Sequence, residues 1–135
     1  MRPDHGCLVL DAGGLLAVAA GDARARAALE IARRRQMAIV VPTPVIVQVH
    51  RGGRRGERVA AALDRIDGAL PTSERVARIA GELLGAAGTG DAVDAIVVAE
   101  ALAGGPSMIL TSDPGDLARL IGDRAARPAI AILGV

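Results

Sequence analysis

Five aspartates stand where apolar runs end or helical segments begin, and carboxylates are the side chains best suited to hold a hard divalent cation. They are Asp11, Asp91, Asp94, Asp113 and Asp116. A cation such as Mg²⁺ binds one or two carboxylates together with water and substrate phosphates. It can activate water and stabilise the in-line displacement of a phosphodiester. The pattern therefore predicts a metal site for phosphodiester chemistry.

Helix capping is the alternative explanation for four of these aspartates. An N-cap Asp accepts hydrogen bonds from the first backbone N–H groups, and an acid in the first turn interacts favourably with the helix dipole. Asp91 with Asp94, and Asp113 with Asp116, both have this D-x-x-D form. Asp11 directly follows a buried apolar run and begins no obvious helix cap. The sequence therefore favours a functional role most strongly for Asp11.

A parallel sheet would bring these aspartates together, because functional groups gather at the carboxyl ends of its strands. The alternation of short apolar runs with amphipathic segments predicts an α/β fold with a mainly parallel sheet. We found no linker or repeat, so we expect one domain over residues 1–135. The predicted strands are 8–10, 37–41, 68–71, 107–110 and 129–133, and the predicted helices are 15–20, 23–35, 43–50, 56–66, 74–86, 91–103 and 114–121.

Glycine and proline are expected to separate these elements. Gly13 and Gly14 are predicted to start the turn out of the first strand, and Pro42 to end the second strand. Thr43 is predicted to cap the following helix, with Pro44 in its first turn. The segment GAAGTG, residues 85–90, is predicted to be a loop.

The composition excludes several other functional classes. Without Phe, Tyr or Trp, the chain lacks the aromatic platforms on which RNA-recognition and single-strand-binding modules stack bases. All sixteen Lys and Arg residues are Arg, which removes the Walker A loop and Schiff-base chemistry. The single cysteine, Cys7, is expected to be a buried packing residue in a cytoplasmic protein. No apolar run approaches the roughly 20 residues of a membrane span, and the N-terminus does not resemble a signal peptide.

The charges are unevenly distributed although the net charge is only +1. Residues 24–65 contain ten Arg and three acids, whereas residues 91–116 contain five acids and no Arg. A basic region facing an acidic cluster suits a polyanion brought to a metal site; the alternative is that the arginines form solvated helix faces. His50 and Arg51, at a predicted helix end, either contact RNA phosphate or complement the helix C-terminus.

Almost the whole chain resembles the PIN domain in the order of its motifs, and more narrowly the VapC-type toxin ribonucleases of bacterial toxin–antitoxin pairs. LVLDAGGLLA resembles the first motif, PTPVIVQVHRGG the second, DAVDAIVVAEAL the third and LTSDPGDL the fourth. The resemblance implies a three-layer fold with helices on both sides of the sheet. It also implies an endoribonuclease dependent on Mg²⁺ or Mn²⁺, usually a homodimer, that a cognate antitoxin holds inactive.

The resemblance assigns roles to individual residues. It implies that Asp11 is the first-motif metal ligand, Asp94 the third-motif ligand, and Asp113 and Asp116 the fourth-motif ligands, with Asp91 as an accessory acid. It also matches Arg51 to the arginine after the second motif. We expect an RNA-backbone contact region formed by His50, Arg51, Arg54 and Arg55.

Two positions depart from the family pattern. The second motif normally supplies a glutamate, and this chain has Gln48. Its carbonyl oxygen can coordinate a metal or orient a water, but it adds no negative charge. Gly13 stands where many members have Ser, Thr or Asn. Gln48 leaves open an alternative, a non-catalytic PIN domain that binds RNA or an antitoxin without cleavage. A third interpretation is an α/β interaction protein with capped helices and no metal.

Overall fold

A five-stranded sheet forms the centre of the protein in a computed structural model that describes residues 5–122 and 130–135. The order across the sheet is β3-β2-β1-β4-β5, and each neighbouring pair is parallel. The strands are β1 Cys7–Leu10, β2 Ala38–Pro42, β3 Gly68–Leu70, β4 Ser107–Thr111 and β5 Ile130–Gly134. The prediction of a mainly parallel α/β sheet is confirmed.

Helices flank this sheet in the three-layer arrangement expected of the fold. They are α1 Ala12–Ala19, α2 Ala23–Arg34, α3 Thr43–Val49, α4 Gly53–Asp64, α5 Glu74–Ala87, α6 Ala92–Ala103 and α7 Pro114–Ile121. None of the helices in the described ranges is both long enough and apolar enough to cross a membrane.

Strand β1 is central, and its position explains its sequence. Val9 pairs with Val40 of β2 on one side and with Ile109 of β4 on the other. All four β1 residues are fully buried. A parallel strand covered on both faces requires a continuous apolar run instead of an alternating one. The core consists mainly of Ala, Leu, Val and Ile, with Met37, Met108 and Cys7 buried in it as well.

Helix α6 is apolar apart from Asp94 and Glu100 and packs against α5, α7 and the sheet. Val97, Val98 and Ala101 are fully buried. Packing along most of α6 therefore fixes where the helix begins, and with it the positions of Asp91 and Asp94.

The predicted turn at Gly13 and Gly14 is wrong, because α1 already begins at Ala12. Both glycines lie in the first helical turn, which packs closely against the chain leaving β4. A Cβ on Gly14 would lie 2.2 Å from the Leu110 carbonyl oxygen, and one on Gly13 would lie 2.0 Å from Ser112 Oγ. Close packing, and not turn conformation, requires glycine at these two positions.

The segment around α3 also differs from the prediction. Pro42 is the last residue of β2, where it pairs with Leu70, and it occupies the N-cap position of α3. Proline is tolerated there because a strand end can dispense with one N–H donor. Thr43 is consequently the first helical residue and not the cap.

Two further helix boundaries differ from the prediction. Helix α4 begins at Gly53, three residues early, because Gly52 and Gly53 adopt positive φ angles of 63° and 57° and turn the chain sharply. The predicted loop at 85–90 is partly wrong, since α5 continues to Ala87 and ends at the left-handed Gly88. The final strand was predicted over 129–133, of which residue 129 lies outside the described residues.

Candidate functional site

The carboxyl ends of β1 and β4 place the first and fourth acidic segments side by side. These strands are neighbours in the sheet, and the Asp11 N–H continues their ladder by donating to the Leu110 carbonyl oxygen at 3.2 Å. Asp11 follows β1, and Asp113 lies two residues beyond the end of β4. The parallel sheet therefore produces the juxtaposition that the sequence predicted.

Asp11 is the most buried of the five aspartates, with 7% of its surface exposed. Its Oδ1 accepts a hydrogen bond from the Gly14 N–H at 2.8 Å, and its Oδ2 accepts one from the Thr111 hydroxyl. Burial raises the pKa of Asp11 above 3.8, although the hydrogen bonds from Thr111 and Gly14 oppose this shift. The expectation that Asp11 caps no helix is wrong, because it is the N-cap of α1.

Thr111 is a site residue that the sequence interpretation missed. It is fully buried at the end of β4. Its hydroxyl donates to Asp11 and accepts from the Asp113 N–H at 2.9 Å. Thr111 therefore joins the first and fourth acidic segments. A signal was available: Thr111 is a hydroxyl residue that ends an apolar strand two positions before an aspartate.

Asp91 and Asp94 approach the same edge from α6. Asp91 is the N-cap, and its Oδ1 accepts from the Val93 and Asp94 N–H groups at 2.8 and 3.0 Å. Asp94 is half-buried in the first turn and caps nothing.

The raised pKa of Asp94 reflects burial as well as electrostatic interaction among the five aspartates. Burial, and after it repulsion from the other four carboxylates, together raise it from 3.8 to about 6. These are, in decreasing order of effect, Asp91, Asp11, Asp116 and Asp113. The site therefore concentrates negative charge around Asp94.

Helix α7 carries the fourth-motif acids. Asp113 is its N-cap, and its Oδ1 accepts from the Asp116 N–H at a long 3.4 Å. Asp116 forms an ion pair with Arg119 one turn further along. A cavity of about 170 Å³ lies between the starts of α6 and α7 and is lined by Asp91, Asp94, Asp116 and Arg119, among others.

This donor set suits a hydrated cation better than an enclosed one. Among the described residues, no three His, Cys, Asp or Glu side chains converge closely enough to enclose a metal ion. Mg²⁺ does not require such enclosure, since it typically keeps several waters and binds one or two carboxylates. Burial and repulsion from the other carboxylates raise the pKa of Asp94 to about 6, and a cation beside it would offset the repulsion. The residues therefore fit Mg²⁺ or Mn²⁺ bound partly through water.

Gln48 is not joined to this acidic edge by a hydrogen bond. It lies half-buried in the last turn of α3. Within the part of the chain that the structure describes, it forms no hydrogen bond to any of the five aspartates. Its role as a catalytic or metal-coordinating residue stays a prediction.

The predicted RNA-contact residues extend from the end of α3 into the first turn of α4, and their side chains make different contacts. Arg51 Nη1 donates to the Val47 and His50 carbonyl oxygens, both at 2.9 Å, so this guanidinium complements the C-terminus of α3. The His50 ring lies beside Gly56, where an added Cβ would be 3.3 Å from His50 Cε1.

Arg54 and Arg55 are exposed in the first turn of α4. Cations at this end of a helix oppose its dipole, at a cost of about 0.3–1 kcal/mol each. The helix dipole therefore does not favour their charge at these positions.

Comparisons with known proteins agree with this architecture. Residues 8–121 match the family model described as "PIN domain". Three solved structures are similar in fold, each with a TM-score of 0.64. VapBC2 from Rickettsia felis, bound to a DNA fragment from its promoter, is 16% identical, and the alignment covers 96% of this chain and 98% of that one.

The second structure, a toxin–antitoxin complex from Klebsiella pneumoniae, is 21% identical over 82% of this chain and 90% of that one. The third, FitAB bound to an IR36 DNA fragment, is 15% identical over 94% of each chain. At these identities the likeness shows the fold. No curated protein matches the sequence significantly.

Proposed function

Because the chain belongs to the PIN domain family, we propose that it is the toxin of a toxin–antitoxin pair and cleaves RNA with an active site dependent on Mg²⁺ or Mn²⁺. The convergence of five aspartates at the carboxyl edge of the sheet carries this proposal. Burial of Asp94, together with repulsion from the other four carboxylates, raises its pKa to about 6, a structural cost that the fold does not need for packing.

The proposed mechanism assigns a distinct task to each side chain. Asp11 and Asp94 hold the cation, with Asp113 and Asp116 beside them and Asp91 as an accessory acid. When bound, the cation supplies an activated water and neutralises charge on the phosphodiester. Thr111 fixes the orientation of Asp11 through Oδ2. In the metal-free protein, burial and then repulsion from the neighbouring carboxylates raise the pKa of Asp94 to about 6. A bound cation would favour the ionised form, in which Asp94 would act as a ligand.

The RNA strand is proposed to reach this edge across the start of α4. Arg54 and Arg55 offer exposed guanidinium groups there, and a guanidinium binds phosphate in a bidentate manner. His50 and Arg51 border the same surface, although one guanidinium nitrogen of Arg51 is already engaged with α3. Gln48 is proposed to contribute its carbonyl oxygen as a neutral partner of the cation or of its water.

The printed descriptions of the three similar structures lead to the partner proposal. VapBC2, FitAB and the Klebsiella pneumoniae complex are assemblies of the toxin–antitoxin kind or are bound to DNA fragments. We propose that this chain likewise binds a small cognate antitoxin, forms a homodimer and acts in the cytoplasm. Light scattering of the purified protein, alone and with the product of a neighbouring short reading frame, tests the assembly.

A non-catalytic PIN domain is the second candidate, and Gln48 is the observation in its favour. A neutral residue in the second motif removes one charge from the site, which should weaken metal affinity. Gln48→Glu distinguishes the two candidates. A large gain of cleavage or Mn²⁺ affinity would indicate an impaired site, whereas little change would indicate a working site that uses glutamine.

RNA cleavage by the purified chain tests the proposal directly. We expect cleavage of single-stranded RNA with Mg²⁺ or Mn²⁺ and none with EDTA. Asp11→Asn and Asp94→Asn should abolish it, and both keep the side-chain shape, so the Asp11 cap is replaced by a similar acceptor. Glu82→Gln is the matched control, since it removes one exposed carboxylate of α5 outside the acidic edge. Full cleavage by either folded Asp→Asn variant would contradict the proposal.

A further inference from the structure

Arg119 is placed differently from the arginines of the basic region. It lies on α7 and lines the cavity of about 170 Å³ beside Asp91, Asp94 and Asp116. Of the described residues lining this cavity, Arg119 is the sole cation. A positive side chain therefore stands at the rim of the acidic edge, where an RNA phosphate would have to approach.

The ion pair between Arg119 and Asp116 is open to solvent. The two side chains are 68% and 47% exposed, and the pair spans three residues of one helix. Exposed pairs of this kind contribute little to stability. Arg119 can therefore leave Asp116 at little cost when a stronger cation competes for the carboxylate.

We propose that Arg119 is an RNA-contact residue that pairs with Asp116 in the metal-free protein and binds a phosphate of the RNA when a divalent cation occupies the acidic edge. This inference rests on the proposed function and adds to it a residue of the fourth-motif helix that the sequence interpretation did not select.

Electrostatics support this exchange. Five carboxylates at one edge repel a polyanion, and a single cation neutralises only part of their charge. When the cation binds the carboxylates, Asp116 no longer attracts Arg119 as strongly, and the guanidinium becomes free to bind another anion. Its planar fork can bind two phosphate oxygens at once, which a lysine could not reproduce.

A purely structural role for Arg119 makes different predictions. Arg119 lies in the last turn of α7, where a cation favours the helix dipole, and its pair with Asp116 could serve helix stability alone. Arg78 with Glu74 on α5 provides a matched control, because it is an exposed ion pair within one helix, with side chains 76% and 80% exposed. Arg78 does not line the cavity beside the acidic edge.

The test compares Arg119→Gln with Arg78→Gln in two binding measurements. Calorimetry with Mn²⁺ should show about two- to fivefold tighter binding to Arg119→Gln, because a competing cation is gone, and no change for Arg78→Gln. Anisotropy with a short labelled single-stranded RNA should show about tenfold weaker binding to Arg119→Gln in Mn²⁺ but little change in EDTA. Arg119→Lys should give an intermediate loss, and urea unfolding confirms that each variant is folded.

The outcomes separate this inference from the proposed function. If the wild-type chain binds neither Mn²⁺ nor RNA, the proposed function fails and the inference fails with it. If the wild type binds both and Arg119→Gln behaves like Arg78→Gln, only the inference is overturned. An equal loss of RNA binding in Mn²⁺ and in EDTA would also overturn it, because the exchange with Asp116 would then play no part.

Discussion

Replacing Asp94 by Asn is expected to stabilise the metal-free protein at neutral pH while abolishing the proposed cleavage. Asp94 is half-buried among four other carboxylates, and its ionised form is disfavoured in the folded state. Asn has nearly the same shape but carries no charge. The substitution therefore separates the packing of this position from its electrostatic cost.

The expected gain in the free energy of unfolding is one favourable electrostatic effect reduced by two others. Raising the pKa from 3.8 to about 6 corresponds to about 3 kcal/mol at about 1.36 kcal/mol per pH unit. Because the side chain is only half-buried, solvent screening reduces this by about half. Asn also loses the interaction of a carboxylate with the N-terminal end of α6, about 0.5 kcal/mol. We therefore expect Asp94→Asn to gain about 1 kcal/mol in the free energy of unfolding.

The pH dependence follows from the direction of the shift. A raised folded-state pKa stabilises the protein fully below the unfolded value of 3.8, and this contribution is lost as the pH rises through about 6. Asp94→Asn should therefore have no electrostatic advantage below pH 3.8, and its advantage should develop up to about pH 7. Urea unfolding of both proteins in EDTA across this range measures it.

Glu82→Gln is the control for the loss of one carboxylate. A second comparison is the stability of the wild type and Asp94→Asn with and without Mg²⁺. The control should show no comparable gain, because Glu82 is an exposed residue of α5. Saturating Mg²⁺ should stabilise the wild type but not Asp94→Asn, and so reduce or reverse the difference. A loss of stability in Asp94→Asn at neutral pH without metal would refute the reasoning, since Asp94 would then be satisfied by the fold itself.

Two further substitutions test the packing around Asp11. Gly13→Ser is expected to lower the free energy of unfolding by about 1–3 kcal/mol in urea, because its Cβ would lie 2.0 Å from Ser112 Oγ. The control Gly81→Ser, with nothing within 4 Å of the new Cβ, should not lower it. Thr111→Val should lower the free energy of unfolding by about 1–3 kcal/mol at neutral pH, because it removes a donor to the Asp11 carboxylate. The loss should be smaller below pH 3.8, where an ordinary Asp is protonated. An equal loss at both pH values would show that the hydroxyl does not act through the charge of Asp11.

The sequence predicted the elements whose signals are local. Strand β1 is a continuous apolar run because both faces of the central strand are covered. Helix α7 was predicted with its observed bounds, since Asp113 supplies the cap and Pro114 the first turn. The proximity of Asp11 to the fourth-motif acids was also predicted, because parallel strands place their carboxyl ends at one edge of the sheet.

The misassigned features depend on contacts between distant segments. Gly13 and Gly14 look like a turn in the sequence, and only the chain leaving β4 shows that they are required for close packing. The capping role of Asp11 is instead a local contact with the Gly14 N–H, and it was missed because the two glycines were interpreted as a turn. Thr111 was missed because its partner, Asp11, lies a hundred residues away. Pattern analysis along the chain does not detect such pairs.

Capping and metal binding, which the sequence presented as alternatives, are compatible in this fold. Asp11, Asp91 and Asp113 each cap a helix through Oδ1, and an ionised carboxylate has about four acceptor positions. The N-terminal ends of α1, α6 and α7 therefore fix these carboxylates and supply positive dipoles that favour negative charge. Asp94 caps nothing, and burial together with repulsion from the other carboxylates raises its pKa to about 6. We expect a divalent cation to offset the repulsion that the helix dipoles leave uncompensated.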